Sequence, residues 1–205
     1  MNIKEHWEKV YDTKQAGELS WYQPTPSLSL DFIKQLNPDK NAAVIDIGGG
    51  DSLLVDHLLN AGYTDITVLD ISAKAINRAK IRLGEKAKMV NWIIADVLEL
   101  KSEKKFNCWH DRAAFHFFTT GADVAAYTNI AGQHIKPGGK LIISTFSTAG
   151  PDKCSGLPVK QYDEKKLSHT LEKGFSKIKC IAADHITPFK KVQQFLICSF
   201  QKINK

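Results

Sequence analysis

The chain has 205 residues, 43% hydrophobic and 24% charged, with a formal net charge of +6; that is the size and balance of one globular domain with a full core, and it leaves little room for a second. No apolar run approaches the roughly 20 residues that span a bilayer, and the N-terminus, Met1-Asn-Ile-Lys-Glu-His-Trp7, has no apolar secretory core, so no membrane association is expected and the cytoplasm is the expected compartment. Only Arg78, Arg82 and Arg112 of the 28 basic residues are arginines, with no aromatic-interleaved stripe to suggest a nucleic-acid partner, and Cys108, Cys154, Cys180 and Cys198 show no zinc spacing and are expected as reduced thiols with no metal.

Residues 3–14 carry helical spacing, with Ile3, Trp7, Val10 and Tyr11 on one side, and 17–26 form a loop stiffened by Pro24 and Pro26. A second helix over 27–36 stops before Pro38. Strand and helix patterns then alternate: strand 43–47, helix 52–61, strand 66–70, helix 73–83, strands 91–95 and 106–110, helix 122–134, strand 140–145. Such alternation implies parallel strands joined by right-handed crossovers, with helices on both faces. After a helix over 163–172, strands 176–184 and 192–201 are separated only by a turn around Thr187-Pro188, which forces an antiparallel hairpin.

The chemistry concentrates where strands end. Val44-Ile-Asp-Ile-Gly-Gly-Gly50 closes an apolar run with Gly48, Gly49 and Gly50, which let a ligand approach the main chain, and a helix starting near Asp51 is expected to add unpaired N–H groups. Asp70 ends the next strand 20 residues after Gly50, the offset at which an acid reaches ribose hydroxyls. A dinucleotide site would need glycine where this chain has Leu53, which disfavours a nucleotide-binding oxidoreductase. Asp46 would repel a phosphate but pair with an ammonium group. A ligand with a ribose, an amino group and no phosphate is S-adenosylmethionine.

With these motifs the chain resembles the class I S-adenosylmethionine-dependent methyltransferases. Asp46-Ile-Gly-Gly-Gly50 matches their first motif and Asp70 their ribose acid, with Ile71 following it. Ile94-Ala-Asp96-Val97 lies where an Asp and the next amide read adenine, and Lys136-Pro-Gly-Gly139 matches the turn into strand five. The resemblance implies a Rossmann-like seven-stranded, mostly parallel sheet in the order 3-2-1-4-5-7-6, with strand seven antiparallel. It covers one domain, 1–205, made of an N-terminal helical lid (1–38) and a core (39–205).

Strand four ends in Cys108-Trp-His-Asp-Arg-Ala-Ala-Phe-His116, at the switch point where ligands of open α/β sheets bind. His110 and His116 are candidate bases and Asp111 and Arg112 candidate acceptor contacts; the alternatives are that Asp111 caps the next helix, Arg112 pairs with a surface acid and His116 is simply packed. Trp109-His-Asp-Arg-Ala-Ala114 with Tyr127, Pro137-Gly-Gly139 and Gly156-Leu-Pro158 is similar to thiopurine S-methyltransferases and tellurite-resistance enzymes, where the Asp-Arg pair sits beside substrate. In the lid, Trp21 and Tyr22 are expected over the sulfonium, whereas core packing is an equal account of Trp7 and Tyr11. The leading expectation is methyl transfer to a small molecule, a thiol or other soft nucleophile being favoured. A protein lysine methyltransferase and a cofactor-binding pseudoenzyme or interaction module are the alternatives. Neither a heptad nor an interface patch speaks to oligomeric state.

Overall fold

Alternating strand and helix signals fold in the order in which they occur. The computed structural model describes residues 2–203. Helix α1 (Ile3–Thr13) begins where the Asn2 side chain accepts the Lys4 N–H at 3.0 Å, and α2 (Ser27–Leu36) follows the proline-bounded loop. The core then runs β1 (Val44–Ile47), α3 (Leu54–Asn60), β2 (Ile66–Asp70), α4 (Ala73–Leu83), β3 (Val90–Ile94), β4 (Phe106–Arg112), α5 (Gly121–His134), β5 (Ile135–Phe146), α6 (Glu164–Leu171), β6 (Phe175–Ile186) and β7 (Val192–Lys202). Ser72, Thr120 and Asp163 cap α4, α5 and α6 by accepting a main-chain N–H of the first turn.

One sheet holds all seven strands in the order β3-β2-β1-β4-β5-β7-β6, and β7 runs antiparallel to both of its neighbours. This is the order that the motifs implied. Strands β1 and β2 are buried along their whole length, as parallel strands covered on both faces must be. Their side chains divide by alternation. Ile45, Ile47, Trp109, Leu141 and Ile143 face a layer that includes Tyr127, Leu167 and Leu171, while Val44, Val68, Cys108 and Ile142 face Leu30, Ile33, Leu54 and Ile76.

Three boundaries depart from the periodicity. Strand β4 runs on through Asp111 and Arg112, which pair with Ile143 and Ser144 of β5; polar residues at a strand end break the alternation that would reveal them. Strand β5 starts at Ile135, so Lys136-Pro-Gly-Gly139 lies within it and the irregularity appears as a register shift opposite Phe106 and Cys108. Helix α3 starts at Leu54, after the glycine turn has ended, and the Ser52 Oγ accepts the Leu54 N–H at 3.2 Å.

The cysteine expectation is corrected in part. Cys180 and Cys198 are register partners on β6 and β7 and are joined as a disulfide, whereas Cys108 and Cys154 are free and buried. Spacing of 18 residues hides the pairing, which the hairpin register creates. Among the described residues no helix is long and apolar enough to cross a membrane.

Ile143 of β5 is fully buried between β4 and β7. Ile143→Ala should therefore lower unfolding free energy by about 2–5 kcal/mol, read as a shifted urea midpoint at unchanged slope.

Candidate active site

A cleft opens beyond the carboxyl ends of β1, β2, β3 and β4, about 800 Å³ of space that is partly open to solvent. Gly48, at a φ of +62°, forms its inner edge, and the backbone turns there in a conformation that suits glycine. Gly50, at +49°, is packed instead: a Cβ would come within 2.6 Å of the Tyr11 hydroxyl and 3.2 Å of an Asp70 carboxylate oxygen. Gly49 lies over Asp46, where a Cβ would meet a carboxylate oxygen at 2.7 Å. The three glycines thus do different work: one faces the cleft, and two let acids and a lid tyrosine close in.

Asp70 and Asp96 both line the cleft, with Ile71 and Val97 beside them. Asp70 is buried and accepts the Ser72 N–H at 2.8 Å, yet burial, with Asp46 and Asp51 adding repulsion, pushes its carboxyl up to about 7. Asp96 is half spent, accepting the Leu98 N–H at 2.9 Å to cap a short turn. Asp51 stays beneath the glycine turn, held by Arg78 at 3.3 Å, while Arg82 donates to the Asp51 carbonyl and to Asp56. Two of the three arginines are therefore fixed in this scaffold.

Helix α1 and the loop after it roof the cleft. Ile3, Trp7, Tyr11 and Trp21 line it, and the rings of Trp7, Tyr11, Trp21 and Phe117 pack edge-on or tilted with centroids 5.2 to 6.5 Å apart. The helix is fastened by Glu8, whose carboxylate accepts the Ser72 hydroxyl and the Ala73 and Lys74 N–H groups at 2.8 to 3.1 Å, occupying the N-terminus of α4. Trp21 lines the cleft, whereas Tyr22 packs against the lid cluster outside it, and Trp7 and Tyr11 take the place beside Trp21. Helical periodicity had marked their face without saying what it covered.

The strand-four segment is split by alternation. Arg112 lines the cleft and donates to the Trp21 carbonyl at 3.0 Å; among the described residues it forms no ion pair. Ala113 and Ala114 join it, Ala113 at a φ of +70°. Asp111 points the other way, fully buried, accepting from the Ala114 and Phe115 N–H groups and from the Tyr127 hydroxyl at 2.6 to 3.0 Å. It caps a turn and does not line the cleft, and burial pushes its carboxyl up to about 6. His116 is likewise corrected: it is fully buried beside Phe117 and Phe146, takes the Phe146 N–H on Nδ1, and burial drives it down to about 3, a neutral packed ring. His110 is absent from the cleft and lies between Asp46, at 2.7 Å, and Ser29, at 2.9 Å. Asp46 therefore gives one carboxylate oxygen to an imidazole beneath the turn.

Sequence reasoning missed Phe117, Phe118 and Cys154 as cleft residues. Cys154 comes from a two-residue ladder, Lys153–Cys154 with Leu157–Pro158, too short for any periodicity. Burial pushes its thiol up to about 12, Arg112 opposing.

Residues 38–198 match the family described as a methyltransferase domain. Among curated proteins, 125 residues are 26% identical to EEF1A lysine methyltransferase 2 of Danio rerio, covering 56% of this chain and 54% of that protein. A stretch of 118 residues is 28% identical to a ubiquinone biosynthesis O-methyltransferase of Xylella fastidiosa, covering 58% and 47%. The chain thus spans about half the length of these two curated relatives. In fold it is similar to a structure solved for the conversion of a disulfide bond into a thioacetal group during echinomycin biosynthesis, with a TM-score of 0.79, 19% identity and coverage of 98% and 93%. The N-methyltransferase NodS of Bradyrhizobium japonicum in complex with S-adenosyl-L-homocysteine gives 0.72, 13%, and 96% and 98%.

The acid edge carries a stability cost of known sign. Asp70 and Asp111 bind protons more tightly folded than unfolded, so the fold loses stability as pH rises from the unfolded value of about 4 toward 7. Asp70→Asn keeps the acceptor for Ser72 and removes the charge. Without ligand it should resist urea better than the parent at pH 8, with the difference closing near pH 4; equal midpoints at both pH values would contradict this.

Proposed function

The chain belongs to the class I methyltransferase-domain family, and on that footing we propose that it transfers a methyl group from S-adenosylmethionine to a small-molecule acceptor held beside Arg112. The observation that carries this reading is the set of groups in the cleft: among the described residues, two carboxylates at the ends of adjacent strands, an aromatic roof and one cation, with no cluster of basic groups to hold a phosphate. Such a set fits a ribose, an adenine and a sulfonium. The NodS structure, solved with the demethylated product of that cofactor, supports the same reading.

When bound, the cofactor supplies an electrophilic methyl group on a sulfonium. The chain's part is placement. Asp70 would accept from the ribose hydroxyls, and Asp96 with the Val97 N–H would meet the adenine edge. Gly48 would let the methionine part approach the main chain. Trp7, Tyr11 and Trp21, which line the cleft, would meet the cation and keep water from it. Arg112, half-buried and without a carboxylate partner among the described residues, favours an acceptor that reacts as an anion, such as a thiolate or another soft nucleophile.

A protein lysine acceptor is the second reading, favoured by the likeness to the Danio rerio enzyme. Against it stands Asp111-Arg-Ala-Ala-Phe-His116, which lacks the Asp-Lys-Gly-Thr-aromatic-Asp sequence of elongation-factor methyltransferases, and the roof of α1 over the cleft.

Radiolabelled cofactor offered to small thiols, carboxylates and a cell lysate separates these readings: a labelled small product supports ours, labelled protein the second, and binding without transfer a non-catalytic role. Asp70→Ala should weaken cofactor binding by about 1–3 kcal/mol in calorimetry. Arg112→Ala should lower turnover with cofactor affinity nearly constant; a large affinity loss instead would place Arg112 on the cofactor's own carboxylate.

A further inference from the structure

Behind Arg112 lies a second, smaller cavity that shares this residue with the main cleft. Its polar wall is made by Ser29 of α2, Ser144 of β5, Gln23 and His185. His185 is already engaged, its Nε2 at 2.6 Å from the Ser20 carbonyl and its Nδ1 at 3.3 Å from the Gln23 amide, which ties the lid loop to β6. Ser29 is different. Its hydroxyl lies 2.9 Å from His110 Nε2, and His110 Nδ1 lies 2.7 Å from Asp46, a register partner on the neighbouring strand. Serine, histidine and aspartate are each at least nine-tenths buried, and they form one hydrogen-bonded chain running from the sheet to the cavity wall.

A hydroxyl backed by an imidazole that a carboxylate orients is a built proton acceptor. A guanidinium at the same wall, without an ion pair among the described residues, is the charge that an anion would satisfy. We propose that this cavity is where the methyl acceptor loses its proton: Ser29, backed by His110 and Asp46, takes the proton, and Arg112 holds the anion left behind. The proposal rests on the reading that Arg112 faces the acceptor, and it narrows the substrate class to small protic acids, phenols, enols or thiols, that are neutral in solution and react as anions.

The step is a proton transfer without redox change. The O–H or S–H proton moves to Ser29 Oγ while the serine's own proton passes to His110 Nε2, and the bonding pair stays on the acceptor's oxygen or sulfur. The imidazolium so formed lies against Asp46 and the anion against Arg112. The other charged groups nearby are Asp111, which follows His110 on β4 but is committed to its turn and to Tyr127, and Asp184, exposed at the cavity rim on β6. Ser29 would touch the acceptor; His110 and Asp46 are positioning residues that act through it.

The test uses 4-nitrophenol, whose phenolate absorbs in the visible, added to the full chain loaded with S-adenosylhomocysteine in a mildly acidic buffer that keeps the free phenol protonated. The parent protein should develop a saturable phenolate band, falling at least about tenfold in Ser29→Ala and His110→Gln, while Arg112→Gln loses binding. S-adenosylhomocysteine affinity, measured by calorimetry, reports folding of each variant, and Ser29→Ala is the mild change should His110→Gln unfold. An unchanged band in Ser29→Ala, as expected if the three residues merely pin α2, or no band in the parent, overturns the proposal. Failure of S-adenosylhomocysteine to bind would instead strike the cofactor reading, and the same titration without it still reads the cavity.

Discussion

Asp46 is a carboxylate buried in the sheet, and the site is arranged around keeping it paired. Its register partner on β4 is His110, so one parallel ladder brings acid and imidazole to 2.7 Å without help from any loop. Ser29 then closes the far side of the imidazole and fixes α2 against the sheet. Because Asp46 is satisfied from below, Gly49 can lie directly over it, and the glycine turn keeps the shape that opens the cleft. Removing one partner would strand a charge, which costs more than the pair contributes.

The same burial explains the rest of the edge. Asp70, Asp51 and Asp46 crowd one turn, and each is handled differently: Asp51 by Arg78, Asp46 by His110, and Asp70 by the main-chain N–H groups of Ser72 and Gly50 and a raised affinity for its proton. An acid left partly unsatisfied at the cleft is suited to accept hydroxyl donors from a ligand. Glu8 extends the logic to the lid, since the N-terminus of α4 holds a carboxylate of α1 and so the roof is fastened beside the residue it covers.

Much of the fold was legible because parallel strands buried on both faces are continuous apolar runs, and those runs ended in the motif residues themselves. Gly48, Asp70, Ile71, Asp96 and Val97 reach the cleft by virtue of being at strand ends, where position along the chain is position in space. The strand-four segment resisted because its residues alternate: Arg112 faces the cleft, whereas Asp111 and His110 point to opposite sides of the sheet and His116 lies a turn beyond. Reading them as one cluster treated neighbours in sequence as neighbours in space, and pleating separates them.

By itself the sequence determined the strand order's ingredients and the glycines and acids that end the strands, since each rests on local backbone chemistry at fixed spacing. Only the tertiary structure decided which aromatic side chains roof the cleft, that Cys180 meets Cys198, that Asp46 answers to His110, and that Ser29 completes a chain of hydrogen bonds from 81 residues away. Those pairings depend on register and on how helices dock against the sheet, and contacts of that kind leave no periodic trace in the chain.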